Sequence, residues 1–296
     1  MNKPNPNIVV PVDLTNPGQF FACCGLLELA DRLWPGAEGW FTQTQFCIGT
    51  ADPGKVLDEL LQKIFSCPLK STFSTADCVR LQALVKRESV LRPFGKVLPK
   101  SERTERKRLG SLRTASGFTL GYPFNIRVDW WLDDTWGGGE LKTWAGKQKV
   151  AEIAKEIKHS LKPEVAADLF AFETVIRRQS DGAPMAPLSF GSGRAGTAQD
   201  IGYSPDKIGQ ALTAHVWTEF LCLIGLQRFA IEPVADRLFS LSMWSVPLPV
   251  VCAAAAAKGK IPSVVTALAK FRLAARDTGN RYKAFTDNVS LIWRLP

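Results

Sequence analysis

The stretch TNPGQFFACCGLLELADRLW, residues 15–34, decides how the rest of the chain is read. Asn16 is a good N-cap, because its short side chain accepts hydrogen bonds from the first unpaired N–H groups of a helix. Pro17 suits the first helical position, and Gln19 stands three residues after Asn16, as in a capping box. Phe20, Phe21, Leu26, Leu27, Leu29, Leu33 and Trp34 cover more than one face. Glu28 and Arg32 can pair at i,i+4 on the polar face that remains. A helix this apolar is mostly buried. Gly25 costs helix stability, so it marks the close approach of another backbone. Pro35 and Gly36 end the helix.

A buried helix needs layers around it. Residues 7–14, rich in Val and Ile, read as a strand before it, and residues 51–65 as a second helix. YPFNIRVDWWLDD (122–134) reads as an aromatic strand. Residues 140–161 and 162–178 read as helices, and residues 207–230 as a long apolar helix. Residues 236–251, 263–277 and 281–293 read as strands. The alternation is irregular, with no βαβ rhythm and no internal repeat. The expected class is therefore α+β, a mixed and mostly antiparallel sheet packed by several helices with a basic projecting loop. The chain forms a single domain or two intimately packed subdomains, divided near residues 180–205.

With 296 residues, 46% hydrophobic and 22% charged, the composition is that of an ordinary folded chain. No run approaches the ~18 apolar residues that cross a bilayer. MNKPNPNIVVPVDL lacks the apolar core of a secretion signal, so a cytoplasmic protein is expected. The seven cysteines form no CxxC, and the two histidines lie far from them. They read as small apolar core residues, and neither a metal site nor a cofactor is expected.

The charge is the strongest functional signal. The chain carries a formal +9. Residues 80–113 hold eleven Lys/Arg (Arg80, Lys86, Arg87, Arg92, Lys96, Lys100, Arg103, Arg106, Lys107, Arg108 and Arg113) against three acids (Glu88, Glu102 and Glu105), a local excess of +8. Pro93, Gly95, Pro99 and Gly110 break a long helix here, so residues 92–118 read as an inserted basic loop that lies along phosphates. Lys142, Lys147 and Lys149 add charge at the start of the helix over 140–161, where cations oppose the helix dipole. Arg194 crowns the loop GSGRAG (191–196) and is a further phosphate contact.

Other candidates are weaker. GSGRAG matches GxGxxG, but prolines precede it and no helix opens within it, so a dinucleotide site is disfavoured. His159 sits on an amphipathic helix flanked by lysines, and His215 lies in an apolar helix; neither has the partners of an acid–base site in sequence. Asp129 and Asp133 share a strand face, with Asp134 beside them, but no third ligand cluster completes a metal pair. Trp130, Trp131, Trp136 and Trp144 surround the middle of the chain. Of Trp130 and Trp131, strand alternation turns one outward, where it can stack on a base. No GxSxG and no P-loop is present, and no enzyme activity is expected.

VDLTNPGQFFACCGLLELADRLWPGAEGWF (12–41) resembles the start of a CRISPR-associated family of type I-U (I-G) systems, and LKTWAGKQ (141–148) and AGTAQDIGYSPD (195–206) are similar to later stretches of it. Thr197 departs from the bulkier residue of the family pattern. The resemblance implies a non-catalytic, large-subunit-like component of the RNA-guided surveillance complex, Cascade, in antiviral defence. Its partners would be guide RNA, target DNA, the other effector subunits and a recruited helicase-nuclease. The expected contacts are Arg92, Lys96, Lys100, Arg103, Arg106, Lys107, Arg108, Arg113, Lys142, Lys147 and Arg194. The alternative is a guide-RNA-processing endoribonuclease using His159 or His215.

Overall fold

Asn16 caps helix α1 (Pro17–Leu33) as its sequence requires: its Oδ1 accepts from the N–H groups of Gly18 and Gln19 at 2.9 and 3.3 Å. The box is not closed by Gln19, whose Oε1 accepts from the Asp13 N–H at 2.8 Å and pins the entering loop instead. The computed structural model describes residues 5–132, 138–144, 148–191, 213–275, 283–286 and 290–293.

Along the chain, β1 (Ile8–Pro11) precedes α1, and β2 (Glu38–Phe41) and β3 (Gln45–Gly49) form a hairpin after it. α2 (Leu57–Ser66), β4 (Leu69–Ser71), α3 (Thr75–Leu91), α4 (Lys100–Thr114), β5 (Phe118–Leu120) and β6 (Ile126–Val128) follow. Then come α5 (Val150–His159), β7 (Thr174–Val175), β8 (Thr213–Ala214), α6 (Val216–Phe229), β9 (Pro233–Ala235), β10 (Leu238–Trp244) and β11 (Leu248–Pro249). α7 (Val250–Ala257), β12 (Val265–Ala275), β13 (Lys283–Phe285) and β14 (Ser290–Trp293) complete the described elements. The strands form sheets ordered β1-β3-β2-β11, β13-β12-β10-β9 with β14 also on β12, β4-β5-β6, and β7-β8. Every pairing between these strands is antiparallel, so the fold is α+β.

α1 lies between the two larger sheets. Phe20 stacks on Phe41 of β2 at 5.3 Å between ring centroids, while Phe21 meets Phe271 of β12 at 6.2 Å. Its remaining face is taken by α6. A Cβ on Gly25 would lie 2.0 Å from the Leu221 carbonyl oxygen, and one on Gly225 would lie 2.0 Å from that of Phe21. The two glycines let the backbones touch, which is the close approach that Gly25 signals in sequence. Glu28 pairs with Arg32 as expected. It is also buried, at 2% exposure, and binds Arg228 of α6 as well. One main core runs from Ile8 to Phe285. Cys23, Cys24, Cys47, Cys67 and Cys222 are buried, as core cysteines should be, whereas Cys252 is exposed. Burial pushes the Cys23, Cys24 and Cys222 thiols well up from their ordinary value.

Several sequence expectations are corrected. The helix over 140–161 is confined to Val150–His159, behind a 3-10 turn at Gly138–Leu141. Residues 163–168 form a 3-10 turn rather than an α-helix. VVCAAAAA turns into α7 instead of extending a strand. The strand over 122–134 spans only Ile126–Val128 before a 3-10 turn, Trp130–Leu132. The division expected near 180–205 falls largely on residues 192–205, outside the described residues.

The largest correction concerns residues 92–118, which are not a loop. α4 runs Lys100–Thr114 and packs against α3 as a helical hairpin. Pro99 stands just before the first helical residue, and Pro93 sits in a separate 3-10 turn, Arg92–Phe94. Only Gly110 falls inside α4. Its cost of ~1 kcal/mol is outweighed by the strong helix formers around it. The hairpin is inserted between the antiparallel neighbours β4 and β5, so it projects from one end of their sheet. It has its own small core of Leu81, Leu84 and Leu109, with Phe73 packed on it. Leu109→Ala is therefore expected to destabilise the hairpin by about 2–4 kcal/mol while the main core stays folded. Limited trypsin digestion should cut first among residues 92–108 at temperatures where the body resists. Loss of both parts in one transition would contradict a separate hairpin core.

Candidate nucleic-acid interface

Helical geometry sorts the basic side chains of residues 80–113 into two sets. One set ties the hairpin together. Arg80 makes a bidentate pair with Glu105, at 3.1 and 2.7 Å. Arg87 binds Glu102 at 2.7 Å, and Arg106 lies 3.2 Å from Glu88. Arg113 binds Glu152 of α5 at 2.6 Å and fixes the hairpin base to the body. All three acids of the segment are thereby used between α3 and α4. The other set faces outward: Lys86, Arg92, Lys96, Lys100, Arg103, Lys107 and Arg108 are exposed, and none forms an ion pair among the described residues. Positions 102, 105, 106, 109 and 113 share the inner face of α4. Lys100, Arg103 and Lys107 follow the i,i+3,i+4 rule on the outer face, a row about 10 Å long.

Of the expected contacts, Arg106 and Arg113 are tied into ion pairs, and Lys86, which lies before residues 92–118, stands with the outward cations. The missed signal was the i,i+3,i+4 spacing of Glu102, Glu105, Arg106 and Leu109, which marks an inner helix face. The Glu105 carboxyl is held below its ordinary value, chiefly by the hydrogen bond from Arg80, which outweighs an opposing desolvation effect and is helped by the charges of Arg80 and Arg108. Its contribution is complete above the unfolded value near 4.5 and is lost as pH falls through the lower folded value. Far-UV circular dichroism and amide exchange should therefore show α3 and α4 loosening as pH drops below about 4.5. In Glu105→Gln this acid step should be weaker. An equal step in both proteins would contradict the assignment.

The aromatic expectation moves as well. Trp130 and Trp131 are both buried, at 4% and 2%, because the 3-10 turn replaces strand alternation. With Trp144 they form a cluster of edge-on rings 5.6–5.7 Å apart. Trp136 lies outside the described residues. The exposed aromatic near the cations is Phe94, 74% exposed at the hairpin tip between Arg92 and Lys96. Gly95 beside it adopts φ 66°, a left-handed conformation that turns the chain sharply and leaves Phe94 outward.

Lys142 is not at the start of α5; it follows the 3-10 turn upstream and lines a cavity of about 440 Å³ with Ser111 and Thr114 of α4. The structure thus brings it to the hairpin base. Lys149 is the N-cap of α5 and lies 3.7 Å from Glu152, so its charge at the helix start is met. Lys147 and Arg194 lie outside the described residues, as do Asp133, Asp134 and most of GSGRAG. His159 is the exposed last residue of α5. His215 precedes α6, with its Nε2 3.0 Å from Glu173 Oε1. Asp129 is held by Arg127 and by Gln227. Among the described residues, no group of three or more His, Cys, Asp or Glu side chains could hold a metal ion, and no helix is long and apolar enough to cross a membrane.

Compared with known proteins, the chain matches no family model, no curated protein and no solved structure.

Proposed function

We propose that this chain is a non-catalytic, cytoplasmic subunit of a type I-U (I-G) RNA-guided surveillance complex, and that the α3–α4 hairpin grips backbone phosphates of target DNA or guide RNA. The observation that carries the reading is the outward row of Lys100, Arg103 and Lys107, flanked by Lys86, Arg92, Lys96 and Arg108, on a projecting element whose Glu88, Glu102 and Glu105 are already paired. Each phosphate neutralised by such a cation releases counterions, which makes binding strong at low salt and indifferent to sequence. Phe94 adds a ring on which an unpaired base can stack. The resemblance of residues 12–41 to the CRISPR-associated family narrows a polyanion binder to this complex. There, guide pairing reads the sequence while protein subunits hold the backbone and read a short flanking motif. Cutting belongs to the recruited helicase-nuclease.

The test is reconstitution with guide RNA and the neighbouring subunits. Alanines at Arg103, Lys107 and Arg108 should leave the subunit folded and weaken target binding by the complex. Unchanged assembly and unchanged target binding would remove the hairpin from the interface.

A second reading, a guide-RNA-processing endoribonuclease, draws on the His215–Glu173 contact, since a carboxylate orients an imidazole for proton transfer. Metal-independent cleavage of repeat RNA in chelator, lost in His215→Ala, would favour it. An intact RNA would leave the binding role.

A further inference from the structure

A cavity of about 550 Å³ opens between the end of α6, the loop into β9, the strand β10 and the turn after α7. It lies outside the hairpin, and its reading does not rest on the one above. Its volume falls within the range of small-molecule sites.

Three cations converge on it: Arg228, Lys258 and Lys260. Arg228 is positioned by the buried Glu28, which takes its Nε and Nη2, while Nη1 has no hydrogen-bond partner among the described residues. The two lysines flank Gly259, which ends α7 with φ 70°. The Gly259 and Lys260 N–H groups bond back to the Ala256 and Ala255 carbonyls at 2.8 and 2.9 Å, so this turn is fixed. It sits over β10, since a Cβ on Gly259 would lie 3.5 Å from Ser242 Oγ.

The cavity also presents hydroxyls. Ser240 and Ser242 lie two apart on β10, on one face. Ser242 is 5% exposed and lines the cavity beside Gly259, where its hydroxyl can donate to a ligand or to water. Trp130, Pro233 and Val234 supply an apolar wall. Of the acids present, Asp129 is already engaged by Arg127 and Gln227, and Glu232 is exposed.

We propose that this cavity binds a nucleoside monophosphate, either free or as the 5′-phosphorylated end of a strand. The phosphate is held by Lys258, Lys260 and Arg228. Ser240 and Ser242 donate to oxygens of the ligand, and its ring lies along the apolar wall. The two sources share one chemistry and differ only in what continues beyond the sugar.

Isothermal titration with adenosine 5′-monophosphate, adenosine and a short oligonucleotide with or without a 5′-phosphate tests this. The monophosphate should bind saturably and at least tenfold more tightly than adenosine. Lys258→Ala/Lys260→Ala, at exposed positions, should weaken it at least tenfold, and Ser242→Ala should weaken it less. Tighter binding of the 5′-phosphorylated oligonucleotide than of the free monophosphate assigns the site to a strand end; the reverse order assigns it to the free nucleotide. A hairpin variant with Lys100, Arg103 and Lys107 reversed should keep monophosphate binding, which separates this site from the hairpin. Failure of the monophosphate and the phosphorylated oligonucleotide to bind, or binding unchanged in the double lysine variant, would overturn the proposal.

Discussion

Gly25→Ala is expected to destabilise the whole protein by about 3 kcal/mol or more, at the upper end of what overpacking costs. The added Cβ would stand 2.0 Å from the Leu221 carbonyl oxygen, and the obstacle is backbone, which cannot swing aside as a side chain does. α1 and α6 would have to separate along their contact, disturbing Phe20 and Phe21 on one side and the Glu28–Arg228 pair on the other. Gly225→Ala should cost a similar amount, and the double variant less than the sum, because both residues open the same gap. Gly110→Ala is the control. Nothing lies within 4 Å of its added Cβ, and alanine is the better helix former, so it should stabilise the hairpin by about 0.5–1 kcal/mol. Denaturation midpoints of the four variants check this. A neutral Gly25→Ala would mean that the α1–α6 contact is not as close as described.

That contact was legible because a glycine inside a strongly apolar helix has few other uses. The antiparallel α+β class was legible from the irregular mixture of periods. The basic segment was misread for a physical reason. Prolines and glycines were counted as breakers without regard to position, whereas Pro99 stands at a helix start, where proline is tolerated, and Gly95 is the turn itself. Once residues 100–114 are helical, Arg106 and Glu105 fall on the inner face and Arg103 and Lys107 on the outer one. The tryptophans were misplaced by the same kind of error. Alternation holds only on a strand, and the chain leaves the strand at Val128. The cavity beside α7 could not be seen in sequence, because Arg228, Ser242 and Lys258 meet only through tertiary packing.

Reversal of the outer row, Lys100→Glu, Arg103→Glu and Lys107→Glu together, is the second large effect expected. Three phosphate contacts, each with a salt slope near −0.9, amount at 0.1 M salt to on the order of 500-fold in affinity for duplex DNA relative to 1 M. The triple variant should lose at least about 100-fold at that salt, independently of DNA sequence. Its fold should be kept, because these side chains are exposed and none pairs with another described residue. Reversing Arg80 or Arg87 instead should unlock the hairpin, since each would set two carboxylates against each other.

The slope itself is the most direct test of the phosphate-gripping hairpin. Affinity for a duplex of fixed sequence is measured between 50 and 300 mM salt for the wild-type protein and for Lys100→Ala/Arg103→Ala/Lys107→Ala. Log affinity should fall linearly with log salt in both, and the variant's slope should be shallower by about 2 to 3. Equal slopes would mean that these three cations meet no phosphates, and the hairpin would not be the nucleic-acid interface.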